Sequence, residues 1–204
     1  LPVFWNCIFK TDVVLRNNFE STSNKFKGVV FIDCDFKCEL LVEGVTVSEN
    51  LFRNTETFIQ KIKKIIISNS TFEQKLLLNK VKTNDIIIKD ASFKSKLEVK
   101  ESEINTFVFK NSNVDKVFDA YKTIFKKFKM EKCIFEDFSG FEFVEFGDIN
   151  NQDESYITLF KHVTFKNTSN FRNAKFFSGL DLENINLSTD IQPSFLKVEF
   201  YGYN

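Results

Sequence analysis

The chain has 204 residues, 43% of them hydrophobic, with 28 basic and 28 acidic side chains and one histidine. That length and apolar content fit one folded domain and argue against disorder. A formal charge of zero argues against a general nucleic-acid binder, whose footprint is basic. No run of apolar residues approaches the 18 that a membrane-spanning helix needs.

Phenylalanine stands out at 27 residues, while glycine (6) and proline (2) are scarce. The chain must therefore turn without the residues that usually punctuate loops. From the N-terminus, apolar anchors recur with gaps of five and then six residues. They fall at Phe4, Phe9 and Leu15, then at Phe31, Phe36 and Val42. Ile67, Phe72 and Leu78 open a run in which each next unit lies 21 residues on: Ile88, Phe93 and Val99, then Phe109, Val114 and Ala120, then Met130, Phe135 and Phe141. Phe160, Phe165 and Phe171 form a seventh unit, and Leu182 with Leu187 an eighth. A fourth anchor closes some units, at Phe26, Thr83, Ile104, Phe125 and Phe176.

Two places before the second anchor stands a small residue: Cys7, Cys34, Ser70, Ala91, Ser112 and Cys133, giving way to Val163 and Ile185. One place earlier come Asn6, Asp33, Asn69, Asp90 and Asn111, then Lys132, His162 and Asn184. A step of five residues is about 140° off the starting face of a helix, so these anchors share no helical face. A solenoid explains them: one anchor per side, four sides per coil, and the next coil about 4.8 Å above in a β-ladder. Columns of like residues then stack, and eight coils make a rod of roughly 35–40 Å. Asn and Asp suit the corners because they tolerate unusual backbone angles.

The small-x-Phe step in "CIF" (7–9), "CDF" (34–36), "STF" (70–72), "ASF" (91–93) and "CIF" (133–135) resembles the pentapeptide-repeat family. The longest continuous match is "VTFKNTSNFRNAKFFSGLDLENINL" (163–187). The chain departs from that family in keeping the small residue on only one or two sides of each coil. The resemblance implies an all-β fold: a right-handed, four-sided parallel β-helix of about seven to eight coils. It implies function less closely, because the family includes gyrase-protecting DNA mimics and secreted effectors.

The intervals between units are 27, 36, 21 three times, 30 and 22 residues. The excess predicts insertions near 16–25, 48–61 and 147–155, and insertions in repeat proteins map to loops that often bind. The second, "ENLFRNTETFIQKI", reads as a short helix with Ser48 or Asn50 as its cap. Charge is uneven as well. Residues 56–132 hold 17 lysines against 10 carboxylates, whereas 133–159 hold seven carboxylates and no basic residue. Such runs serve either as a solvated outer face or as two separate binding surfaces.

No catalytic, cofactor-binding or metal-ligating residue is assigned. His162 falls in the corner slot, and without a second histidine there is no ordinary zinc site. Cys7, Cys34 and Cys133 read as small buried hydrophobes. Free thiols of this kind point to a reducing, cytoplasmic setting. The carboxylates of 133–159 raise the alternative of a carbohydrate-active β-helix enzyme. The leading expectation is a non-enzymatic interaction scaffold that binds a protein partner through a rod face or its inserted loops, with no direct contact to nucleic acid. The runner-up is a DNA-mimicking regulator of a topoisomerase-like protein.

Overall fold

The computed structural model describes residues 1–16, 27–46, 57–58, 60–151, 153–187 and 192–201. They form a parallel β-helix of eight stacked coils whose strands fall into three long sheets of 11, 8 and 7 strands. The anchors stack rung on rung in the register read from the sequence. The first column runs Phe4, Phe31, Ile67, Ile88, Phe109, Met130, Phe160, Leu182. The second runs Phe9, Phe36, Phe72, Phe93, Val114, Phe135, Phe165, Leu187. The third begins Leu15, Val42, Leu78, Val99. The fourth contains Ile62, Thr83, Ile104, Phe125, Phe146, Phe176 and Phe200; Phe26, also expected there, lies outside the described residues.

Each side buries two residues, an anchor and the residue two before it, because alternate side chains of a strand face the same way. In one central coil these are Val81 and Thr83, Ile86 and Ile88, Ala91 and Phe93, Leu97 and Val99, all buried. Most corners between pairs span three residues. The corner from Phe93 to Leu97 spans four, which is the source of the six-residue gap. The slot before the first column holds Phe107 and Phe128, both buried, so small residues are confined to some sides. There the fourth and first sides merge into single strands such as Glu103–Lys110 and Ile124–Glu131.

Two rows of corners take left-handed backbone. The predicted row holds Asn6, Asp33, Asn69, Asp90, Asn111, Lys132, His162 and Asn184, with φ between 47° and 55°. A second row, before the fourth column, holds Lys80, Glu101, Lys122, Phe143, Asn173 and Lys197, with φ between 48° and 57°. Asn and Asp visit this region readily; Lys, Glu and Phe do so at a cost. The ladder enforces it, because each corner amide donates to the next rung, as in Glu101 N to Tyr121 O (3.0 Å) and Lys122 N to Glu142 O (3.1 Å). Neighbouring structure that over-determines a residue is what sustains such backbone.

The inserted segments modify the sequence reading. Residues 17–26 and 47–56 lie outside the described part, so the helix expected over the second insertion is untested there. Its described end is strand instead: Thr57–Phe58 pairs antiparallel with Val45–Thr46, and Gln60–Ser68 is a full rung of the solenoid. The inserted segment therefore ends before Gln60, and residues 60–61 belong to the rod. The β-branched run Ile65–Ile66–Ile67 favours the pleated, half-buried surface of a strand over a helix.

Candidate functional site

Three features of the surface bear on function: the flanks, the third insertion and the two ends of the rod. On the flanks, side chains stack as the anchors do, so charges in successive coils meet. Lys82 pairs with Glu103 (2.5 Å), Lys94 with Asp115 (3.1 Å) and Lys110 with Glu131 (3.1 Å), each 21 residues apart. The acidic segment is interleaved in the same way. Glu136 meets Lys166 (2.8 Å), Glu142 meets Arg172 (3.7 Å) and Asp148 meets Lys126 (3.5 Å). Part of the basic and acidic blocks of the sequence is thus paired in space by neighbouring rungs. Exposed pairs of this kind are worth about 0.2–1 kcal/mol each; they fix rung-to-rung matching more than they stabilise.

The third insertion is pinned to the rod. The hydroxyl of buried Ser178 accepts from Asp148 N (3.1 Å) and donates to Asn151 O (3.1 Å). Asp153 caps the 3-10 turn Glu154–Tyr156 by accepting from Ser155 N (2.8 Å), and this bond holds its carboxyl below the usual range. Lys127 Nζ lies 4.4 Å from the centre of the Tyr156 ring, a favourable cation–aromatic contact. Between this turn and the flank runs a groove of about 400 Å³. Its floor includes Thr106, Val108 and Leu159, and its charged rim Lys127, Lys129, Glu154 and Asp181. The rim mixes both signs, so the groove selects for neither anion nor cation.

The ends differ sharply from the flanks. Leu182, Leu187, Phe195 and Phe200 are 55%, 47%, 46% and 60% exposed, whereas Phe160, Phe165, Phe171 and Phe176, one rung below in the same columns, are 1%, 4%, 6% and 0% exposed. These residues occupy core columns, and no further rung lies over them among the described residues. At the other end Phe4 is exposed below buried Phe31, and Val3, Trp5, Ile8 and Val14 are exposed beside it. Among the described residues, twelve of the sixteen exposed large hydrophobics lie in the first and last coils. A small apolar cavity of about 50 Å³ opens between Phe160, Phe165, Phe171, Leu182, Leu187 and Phe195.

The side chains with chemistry to offer are dispersed. His162 is an exposed corner residue with φ 53°. Among the described residues no group of three or more His, Cys, Asp or Glu side chains is placed to hold a metal. Cys34 and Cys133 are buried, as expected; Cys7, also expected to be buried, is only partly so, and Cys38 is buried as well. Burial pushes the Cys133 thiol up to about 12 and also raises Cys34 and Cys38. All three are poor nucleophiles, because reactivity requires the thiolate. The exposed apolar side chains of the first and last described coils were not foreseen; the column register pointed to them, since the outermost described member of each core column has a described neighbour on one side only.

No family model matches the chain, and no curated protein or solved structure matches it. No described helix is long and apolar enough to cross a membrane.

Proposed function

We propose that the chain is a non-enzymatic interaction scaffold of pentapeptide-repeat type that binds protein through exposed apolar side chains of its first and last described coils. The observation that carries this reading is the concentration of exposed large hydrophobic side chains in the first and last described coils. Exposed apolar patches of this kind mark association sites on soluble proteins. The flanks favour binding less, because several of their charges are already paired between rungs. That matching also weighs against mimicry of DNA, which needs a continuous acidic face: Lys166, Arg172 and Lys126 interrupt the one acidic stretch. A carbohydrate-active reading needs a pair of carboxylates free to act on substrate, whereas Glu136 and Glu142 each face a cation of the next rung.

Photo-cross-linking tests the proposal. A photoreactive residue at Phe200 or Trp5 is expected to form protein adducts in cells, and one at Ile134 on the mid-flank is not. Adducts confined to Ile134 would overturn it. So would turnover of a polysaccharide by the purified chain that disappears in a Glu136→Gln, Glu142→Gln, Glu145→Gln variant.

A further inference from the structure

We infer that Cys7 and Cys34 are a redox-controlled cross-linking site: a low-molecular-weight disulfide such as oxidised glutathione joins them across two neighbouring rungs, and excess thiol parts them. The site is independent of the protein-binding reading above.

Register carries the inference. Ile8 pairs with Asp35 and Phe9 with Phe36 in the parallel ladder, so Cys7 stands opposite Cys34 in the small inward slot. Stacked positions of a ladder lie about 4.8 Å apart, inside the Cα separation of roughly 4.4–6.8 Å that a disulfide spans. Bridged Cβ atoms stand about 3.5–4.5 Å apart, so the rungs need close by only a few tenths of an ångström. The thiols also converge. In this slot a side chain sits over the amide of the slot residue one rung below: Ser70 Oγ accepts from Cys34 N (3.1 Å) and Ser112 Oγ from Ala91 N (3.0 Å). Cys34 repeats this over Cys7, whose amide and thiol both interact with the Cys34 thiol. Cys34 Sγ reaches down to the Phe4 carbonyl of the lower rung (3.4 Å), and Cys7 Sγ donates to the Trp5 carbonyl (3.3 Å). A thiol is a weak donor, so neither contact holds its sulfur against reaction. The other cysteines have no such neighbour. By register Cys133 lies between Ser112 and Val163, and Cys38 stands opposite Thr11 and Gln74.

The exchange takes two steps. One thiolate of the pair attacks a sulfur of the small disulfide, breaks its S–S bond and releases one small thiolate. The second thiolate of the pair then attacks the protein sulfur of that mixed disulfide, forms the Cys7–Cys34 bond and releases the other small thiolate. The protein gives up two protons and two electrons, and the small disulfide takes them up as two thiols. Burial raises the Cys34 thiol, so the reaction quickens as pH rises and thiolate forms. The bond closes the stretch of chain from Cys7 to Cys34, which carries the first insertion, and so constrains that stretch. In a reducing setting such bonds are transient and serve as redox sensors.

Oxidation of the native, fully reduced chain by oxidised glutathione tests the site. The intact mass is expected to fall by two hydrogens. After unfolding, two of the four thiols are expected to resist alkylation, and digestion to release a peptide that joins Cys7 to Cys34. Dithiothreitol is expected to restore all four. The rate is expected to rise several-fold for each unit of pH between about 7 and 8, because the thiolate is the attacking species. Cys7→Ser and Cys34→Ser are each expected to lose the bond, and Cys38→Ser and Cys133→Ser to keep it, with circular dichroism checking that each variant folds. In urea the chain is expected to give mixed pairings, which makes the selectivity a property of the fold. Four reactive thiols after prolonged oxidation of the native wild-type chain overturn the inference. So does a stable glutathione adduct without an internal bond, or a cross-link that joins any other pair.

Discussion

Phe72 and Phe93 stack face to face in adjacent coils, their ring centres 4.8 Å apart and their planes within 10°. The stack continues downward through Phe36 (4.4 Å) and Phe9 (4.5 Å) and ends above at Val114. Parallel rings at this spacing add about 0.5–1.5 kcal/mol per pair beyond burial. Phe93 is wholly buried, so Phe93→Ala is expected to cost about 3–5 kcal/mol, and Phe93→Leu clearly less. Chemical denaturation measures both; a near-neutral Phe93→Ala would mean the column is not the core.

The columns were legible in the sequence because the ladder imposes one period on every side, so even a five-then-six spacing repeats without drift. The Asn and Asp corner was legible because those residues carry their own turn chemistry. The second corner was hidden. Lys80, Glu101 and Lys122 have no turn preference, and their left-handed backbone comes from bonds to the next rung, which no local stretch encodes. The charge blocks hid their cross-rung partners for the same reason: Asp148 and Lys126 are 22 residues apart in the chain but 3.5 Å apart in space. The apolar ends were implicit in the columns but invisible to a local motif search, because Leu182 and Phe160 read alike until one asks what lies above each.

The two corner rows predict opposite mutational responses. Glu101 holds φ 48° with only a long 3.9 Å pair to Lys80. A left-handed residue costs roughly 1–2 kcal/mol unless it is Gly or, in part, Asn. Glu101→Asn is therefore expected to raise stability by about 0.5–1 kcal/mol, and Glu101→Val to lower it. At Asp90, already suited to its corner (φ 53°) and accepting from Asn111 Nδ2 (3.0 Å), Asp90→Ala is expected to be destabilising. Thermal unfolding of the three variants decides it; a destabilised Glu101→Asn would show that the side chain, not the backbone, is what matters there.

Small inward slots should distinguish size from hydrogen bonding. Cys34 is buried and its thiol contacts the carbonyls of Ile32 (3.3 Å) and Phe4 (3.4 Å). A serine there would repeat the arrangement of Ser70 and Ser112, which donate to carbonyls two residues back (2.8 and 2.7 Å). Cys34→Ser is expected to be mild, whereas Cys34→Leu overfills the slot at about 1–3 kcal/mol. Equal losses in urea unfolding would argue against a size limit.

Ser112 and Ser139 are both buried serines, but only one is employed. The Ser112 hydroxyl also accepts from Ala91 N (3.0 Å), tying two rungs together. The Ser139 hydroxyl has no partner among the described residues. A buried donor or acceptor left unpaired costs about 1–3 kcal/mol. Ser112→Ala is therefore expected to destabilise by that order, because it strands an amide, while Ser139→Ala is expected to be neutral or stabilising. The reverse ranking would indicate that Ser139 has a partner in solution.

Asp119 and Asp33 predict opposite pH effects. Burial raises the Asp119 carboxyl above its ordinary range, against the opposing pull of Lys100 (3.4 Å). The rung above contributes to that burial: a Cβ on Gly140 would lie only 2.7 Å from Asp119 Oδ1 and 2.8 Å from the Phe138 ring. A carboxyl raised on folding binds its proton more tightly in the native state, so its contribution is present at low pH and is lost as pH rises through the folded value. Asp119→Asn removes that loss, and Lys100 keeps Glu98 at 2.8 Å. The variant is expected to gain stability relative to wild type as pH goes from about 3 to 7. Asp33 is lowered by hydrogen bonds from Asn69 Nδ2 (2.6 Å) and Trp5 Nε1 (2.8 Å). Its contribution is present above the unfolded value and lost as pH falls through the folded one, so Asp33→Asn is expected to lose stability at pH 7 and converge with wild type in acid. Melting temperatures of both variants across that range read the two slopes; slopes of the same sign would mean that burial does not govern Asp119.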